Sequence, residues 1–230
     1  LLSLQKEYNL ARDHIKAQLE IMFEAGTDTL FIVLDYAMAQ LVRSPRLMTK
    51  LQAEVRSNNI AKGKDAMVTD DELNNLAYLK AVVKETLRLH MPAPLLVPHL
   101  SMADCDLEGY TIPSGTRTII NAWALARDPS YWENAEEFMP ERFMDGGSTA
   151  AIDYKGGDFL LLPFGTGRRI CPGITFAIST IEIMLANLVC LFNWELPAES
   201  AEKGVDMAES FGVTVHRTEK LLLVPIVPQD

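Results

Sequence analysis

Apolar residues at three- and four-residue spacing frame the N-terminal third of the chain. Ile15, Leu19, Met22, Phe23, Leu30, Val33, Leu34, Met38 and Leu41 recur in this way and predict a long helix from about Arg12 to Ser44. It is apolar on most of its faces, so it is expected to run through a core. Ser44 followed by Pro45 reads as a stop and a restart, with Ser44 capping and Pro45 in the first turn of the next helix. Thr69 to Glu72 has the form of a capping box. The helical region it opens continues to about His90, where Pro92 and Pro94 end it. From Leu95 to Asn121 the pattern shifts to short β-favouring runs, with Glu108-Gly109 and Pro113-Ser114-Gly115 as turns. Tyr131 to Pro163 is rich in Gly, Pro, Asp and Glu and predicts a long loop. Pro172 then opens an apolar helix to Phe192, and Phe211 to His216 with Leu221 to Ile226 predict a closing hairpin. The expected fold is mainly α with a small β component, a single unit over residues 1–230 without repeat or linker.

Composition narrows what such a unit does. With 48% of its 230 residues hydrophobic, the chain can bury a real core. The 21 basic and 31 acidic residues leave a net charge of -10, a field that repels nucleic acid and acidic membrane surfaces. Phe176 to Phe192 falls short of the roughly 20 residues that cross a bilayer and carries Glu182 and Asn187, so it is expected to be a buried helix. The chain opens on Leu1, and Leu1 to Leu19 already approaches a helix, so we expect a piece of a larger protein.

Three widely separated cysteines fit neither a disulfide framework nor a zinc site of closely spaced pairs. Cys105 lies between Asp104 and Asp106, where like charge disfavours a thiolate, and Cys190 lies on an apolar helix; both read as structural. Cys171 differs. In Phe164-Gly165-Thr166-Gly167-Arg168-Arg169-Ile170-Cys171-Pro172-Gly173 three glycines frame it just ahead of a helix. Glycine tolerates the positive φ such a loop needs and lets the backbone approach a ligand. The helix dipole, free amide donors and the charges of Arg168 and Arg169 would all stabilise a thiolate there. A structural cysteine in a glycine-rich turn is the bland alternative.

The segment matches F-x-x-G-x-R-x-C-x-G at every fixed position, and in this the chain resembles the cytochrome P-450 family. The resemblance implies that Cys171 is the thiolate ligand of haem b iron, pushing electron density that favours O–O cleavage. It implies that Phe164 shields the sulfur, that Arg169 pairs with a haem propionate, and that Gly167 and Gly173 belong to the same cofactor-binding loop.

Three further matches follow the family's order. Ala25-Gly26-Thr27-Asp28-Thr29 resembles its oxygen-binding pattern, with Ala25, Gly26 and Thr29 on one helical face. Glycine in mid-helix costs about 1 kcal/mol relative to alanine, which a cofactor against the backbone would explain, as would a small-residue helix contact. Asp28 and Thr29 would form the catalytic acid and alcohol relay for protons. Leu30 departs from the serine or threonine usual next in plant members. Glu85 and Arg88, at i and i+3, match the family's E-x-x-R, and Pro140-Glu141-Arg142-Phe143 its P-E-R-F, so that Arg142 would complete a charged triad. His99, after Pro98, stands where the family places an Arg or His on the other propionate, though a turn histidine fits equally.

By this resemblance the chain is the C-terminal half of the cytochrome P-450 fold, the N-terminal half and membrane anchor being absent. The implied activity is a haem-thiolate monooxygenase that takes electrons from NADPH through a flavoprotein reductase and inserts one atom of O₂ into a lipophilic small molecule. Pro140 to Phe143 and Asn121-Ala122-Trp123-Ala124 are similar to plant members, with wording like the indole-oxidising enzymes of grasses, implying secondary metabolism and an endoplasmic reticulum membrane location for the parent. Leu95, Leu96, Val97, Phe211, Gly212 and Val213 are the implied substrate-facing residues, an apolar set. Two alternatives stand beside this. A haem-thiolate isomerase or dehydratase of hydroperoxides would keep Cys171 but need no relay, and a truncated fragment would bind nothing because Met22, Phe23, Leu95 and Leu96 lack partners.

Overall fold

The computed structural model describes residues 2–59 and 67–228. Helix α1, Arg12–Arg43, runs for 32 residues and ends where the Ser44 amide turns back to the Leu41 carbonyl. Pro45 opens α2, Pro45–Asn59, whose first free amides, those of Leu47 and Met48, donate to the Ser44 carbonyl at 2.9 and 3.2 Å. A short α3, Asp70–Leu73, follows, with the Glu72 carboxylate accepting from both the amide and the hydroxyl of Thr69. Helix α4, Ala77–Leu89, is capped from a distance, because the Glu54 carboxylate on α2 accepts the amides of Tyr78 and Leu79 at 2.7 and 2.9 Å.

Among the described residues the β component consists of four two-stranded antiparallel ladders. β1, His99–Leu100, pairs with β4, Arg117–Thr118, and between them lies the hairpin β2, Cys105–Leu107, with β3, Tyr110–Ile112. Its turn residues Glu108 and Gly109 both have positive φ, 49° and 86°, the tight turn whose twist matches a hairpin. After α5, Ala122–Leu125, comes the long loop, broken by a 3₁₀ turn at Pro140–Phe143. A second 3₁₀ turn, Gly167–Arg169, precedes α6, Ile174–Leu191, and then come β5, Asn193–Glu195, and α7, Ala198–Ala201. β6, Glu209–Phe211, pairs with β7, Val215–Arg217, but β8, Val224–Ile226, pairs with β5. Leu221 to Ile226 therefore does not close a hairpin with Phe211 to His216. Its partner stands some thirty residues upstream, and a strand-length apolar pattern carries no information about which distant strand will take it.

The main core is where α1, α2, α4 and α6 meet. Val33, Ala37 and Leu41 from α1, Leu51 and Val55 from α2, Leu79, Val82 and Val83 from α4, and Ile181, Leu185 and Val189 from α6 all bury there. The expectation that α1 runs through a core holds only from Ile32 onward. Beyond Ile15, the N-terminal half leaves Leu19, Ile21, Met22 and Phe23 exposed, so an apolar helix here is not a buried one. α6 behaves similarly. On length and composition it would pass for a membrane span, yet Ile178, Ile181, Leu185 and Val189 are packed in the core while Phe176 and Met184 face out. Its buried Asn187 is satisfied inside: Asn187 Oδ1 accepts the Val68 amide at 2.8 Å and its amide donates to the Ile183 carbonyl. Arg56 of α2 donates to the carbonyls of Val189, Cys190 and Phe192, closing the C-terminal end of α6.

Candidate active site

The cysteine loop is built by backbone conformation. Gly165 and Gly167 both sit at φ +71°, and a Cβ at either would meet no atom within 4 Å, so these positions need glycine for its angles rather than for room. Gly156 does need room: a Cβ there would lie 2.8 Å from Ile170 Cδ1. Thr166 ties its hydroxyl to the Gly156 carbonyl at 2.6 Å, and the Cys171 amide donates to the Phe164 carbonyl at 2.9 Å. The chain thus folds back on itself and delivers Cys171, half-buried, three residues before α6. Its Sγ accepts the Gly173 amide at 3.4 Å. The sulfur thus has a donor aimed at it and lies at the N-terminal end of an 18-residue helix. Phe164 stands edge-on to Tyr154 at 5.9 Å, which fixes its ring beside the loop. Arg168 and Arg169 are exposed on the 3₁₀ turn and form no ion pair among the described residues. Cys105 is exposed, Cys190 is buried, and none of the three is in a disulfide.

Opposite this loop lies the middle of α1. A Cβ on Gly26 would meet Phe176 Cε1 at 3.7 Å, so the glycine faces the helix that begins just after Cys171. The hydroxyls of Thr27 and Thr29 donate back to the Phe23 and Ala25 carbonyls at 2.7 and 2.6 Å, the local bonding that bends helices. The structure does not join Asp28 to Thr29. Instead Asp28 Oδ2 accepts the hydroxyl of Thr214 at 2.9 Å, across 186 positions of sequence.

The apolar segments flank this region. Leu95 and Val97 are exposed, and between them Leu96 sits at φ +53°, a conformation unusual for a side chain of its size. Phe211, Gly212 and Val213 form the exposed tip joining β6 to β7, and the Val215 amide donates to the Pro92 carbonyl at 2.8 Å, tying that tip to the segment before Leu95. His99 is exposed on β1 opposite Thr118, and no contact joins it to Arg169 among the described residues.

The charged residues of α4 and the 3₁₀ turn do come together. Arg88 grips Glu85 with two nitrogens at 2.7 and 2.8 Å, and Arg142 Nε reaches the same carboxylate at 3.1 Å, with all three side chains shut off from solvent. The remaining guanidinium donors go to carbonyls of Ala126, Ala135, Glu137, Glu133 and Asn134. A second buried polar group carried no sequence signal. His90 stacks on Tyr36 at 4.2 Å and 4°, its Nε2 is 2.8 Å from the Gln40 amide, and its Nδ1 is 3.7 Å from Glu209. Two turns along α1 from Asp28, Asp35 pairs with the buried Arg217 at 3.2 Å.

The profile of the cytochrome P450 family matches residues 1–224. The chain belongs to that family. Among its relatives, the indole-2-monooxygenase of Zea mays is 57% identical over 98% of this chain and 41% of its own length. The 3-hydroxyindolin-2-one monooxygenase of Zea mays is 54% identical over all of this chain and 43% of its own length. A zebrafish cytochrome P450 solved with abiraterone superimposes with a TM-score of 0.81 at 29% identity, over 96% of this chain and 49% of that one. The chain thus spans under half the length of these P450 relatives and about half of that structure. Its residues fit the family's haem. Among the described residues no group of three or more His, Cys, Asp or Glu side chains is placed to hold a bare metal ion, whereas a haem iron, whose porphyrin supplies four nitrogens, needs as few as one protein donor, which can be a cysteine sulfur. Cys171, with an amide on its sulfur and open space beside Gly165 and Gly167, fits that requirement.

Proposed function

We propose that this P450 chain holds haem b through Cys171 and serves a haem-thiolate monooxygenase of plant secondary metabolism, acting on a lipophilic small molecule. The observation that carries this reading is the Gly173 amide on the Cys171 sulfur, in a glycine loop that leads into α6, whose Phe176 lies beside Gly26 of α1. The haem, when bound, supplies the redox chemistry that activates O₂, fed by electrons from NADPH through a flavoprotein reductase.

The residues of this chain have separate tasks. The Gly173 amide orients the Cys171 sulfur, and Phe164, braced by Tyr154, limits water at it. Arg169 and His99 are the proposed propionate partners, both exposed and uncommitted. Ala25 and Gly26 keep the α1 backbone low enough for O₂. Asp28 exchanges protons with solvent and Thr29 presents them, once its hydroxyl leaves the Ala25 carbonyl. Leu95, Leu96, Val97, Phe211, Gly212 and Val213 offer the substrate an apolar surface that orients it without fixing charge. The names of the maize relatives favour a flat nitrogen bicycle such as indole or an indolinone. On this reading the enzyme works at the endoplasmic reticulum membrane, beside its reductase.

The test is the spectrum of the reduced, CO-treated enzyme that carries these residues. Cys171→Ala is expected to abolish the thiolate-type band while Cys105→Ala and Cys190→Ala retain it. Loss of the band in either of the latter, with Cys171→Ala unaffected, would refute the assignment. Oxidation of indole that requires NADPH and reductase separates this reading from a hydroperoxide isomerase, which needs neither.

A further inference from the structure

We infer that Thr214 is a positioning residue that fixes the Asp28 carboxylate and thereby couples the substrate-facing tip of the β6–β7 hairpin to proton delivery. The inference rests on the relay reading above and adds a residue to it.

Three observations lead here. First, Thr29 spends its hydroxyl proton on the Ala25 carbonyl at 2.6 Å, so it does not hold Asp28. An aspartate on the exposed half of α1 would otherwise sample several rotamers, and the Thr214 hydroxyl at 2.9 Å selects one. Second, Thr214 is itself held. Its neighbour Val215 is buried and bonded to the Pro92 carbonyl at 2.8 Å, Arg217 is buried against Asp35, and Glu209 on the other strand lies 3.5 Å from the Tyr36 hydroxyl. Asp28 and Asp35 are two turns apart on one face of α1, about 10 Å along the axis at 1.5 Å per residue. Thr214 closes the turn before β7 and Arg217 ends that strand. The hairpin therefore meets α1 at both aspartates, and β7 lies against the helix. Third, the tip residues Phe211, Gly212 and Val213 directly precede Thr214, and the turn is tight: a Cβ on Gly212 would come within 3.2 Å of the Thr214 carbonyl. A substrate that displaces Val213 therefore displaces the hydroxyl that orients Asp28, and a substrate that seats the tip correctly also seats the acid.

Thr214→Val is close to isosteric and leaves Val215 and the Arg217–Asp35 pair in place, so the hairpin stays docked. In the haem-loaded enzyme that carries these residues, with indole as probe, hydrogen peroxide released per NADPH oxidised should rise about tenfold in Thr214→Val, a part of the ~10²–10⁴ that positioned proton transfer contributes. Thr214→Ser should restore the original partition, and Thr214→Val should add nothing in an Asp28→Asn background. A readout without turnover accompanies this: amide hydrogen exchange at Val213 and Thr214 should quicken equally in Thr214→Val, in Asp28→Ala, which removes the acceptor, and in the variant that combines the two. If Asp28→Asn uncouples but Thr214→Val does not, or if Thr214→Ser fails to restore coupling, the positioning role is wrong and the relay stands. If Asp28→Asn itself leaves the partition unchanged, the relay falls and this role falls with it. Additive effects on exchange would show that the two residues act separately and would also overturn the inference.

Discussion

His90 illustrates how much of this molecule is decided one side chain at a time. It ends α4, stacks on Tyr36, takes the Gln40 amide at Nε2 and turns Nδ1 toward Glu209, an arrangement that suits the neutral imidazole protonated at Nδ1. Burial pushes it below its ordinary value of 6.5, reinforced by Arg127 and Arg88 and opposed by Glu209. The contact with His90 in turn holds the Glu209 carboxyl below its ordinary 4.5. The unfolded chain takes a proton on His90 near pH 6.5 while the folded chain refuses it until lower pH. Stability should thus be full above that value and fall as pH drops through and below it, by at most about 1.4 kcal/mol per pH unit for one proton. Loss of the Glu209 charge adds to the fall only at still lower pH, below the ordinary carboxylate value. Thermal unfolding between pH 7 and 5 would check this, and His90→Gln should flatten the slope; a slope unchanged in that variant would assign the proton to another group. None of this cluster was legible in the sequence. Tyr36, Gln40, His90 and Glu209 come from three elements, and their meeting is a fact of packing, whereas Cys171 with its glycines announced itself because angles and helix position are local.

At the scale of elements, the helices were legible and their burial was not. The three- and four-residue spacing placed α1 correctly to within a residue at its C-terminal end, and the Thr69–Glu72 capping box and the Pro45 restart are realised in the backbone. Periodicity reports that a face is apolar, however, and not that anything lies against it, which is why the spacing of Leu19 to Phe23 predicts a core that the segment does not enter. The pairing of β8 with β5 escaped for the related reason that register with a distant strand is set by the rest of the fold. Gly26 allows the two sequence-level readings of the α1 glycine to be separated. A Cβ there meets only Phe176, at an ordinary 3.7 Å, so helix packing alone would accept alanine. Gly26→Ala should leave the fold intact and even stabilise the helix by up to about 1 kcal/mol. If the glycine serves the haem face, the same change should shift the haem absorption or lower the haem content. Normal stability with a normal haem spectrum would leave Gly26 as a helix residue and nothing more.

Across the whole molecule, one carboxylate organises the connection between the helical core and the long loop. Glu85 on α4 takes two nitrogens of Arg88, Nε of Arg142 and the Met139 amide at 2.8 Å, so both of its oxygens are engaged, Oε1 by three donors and Oε2 by one. The two arginines spend their other donors on five carbonyls between Ala126 and Glu137, and both guanidiniums lie over the buried Trp132 ring. The loop that the sequence marked only as rich in Gly, Pro, Asp and Glu is therefore ordered through its backbone, by cations reaching out of α4 and the Pro140–Phe143 turn. Removing one partner of a buried ion pair costs about 3–5 kcal/mol, because the remaining charge stays buried and uncompensated. Here two charges would be stranded. Glu85→Ala should destabilise the protein by at least that much and open the loop from Ala126 to Phe143 to proteolysis. Lys50→Ala, which removes a half-exposed partner of Glu141, should cost under about 1 kcal/mol. Urea unfolding and limited proteolysis of the two variants side by side provide the check. If Glu85→Ala proves no worse than Lys50→Ala, the triad is an ornament of the fold, and the loop must owe its order to Trp132 and its apolar neighbours Phe143 and Leu161 instead.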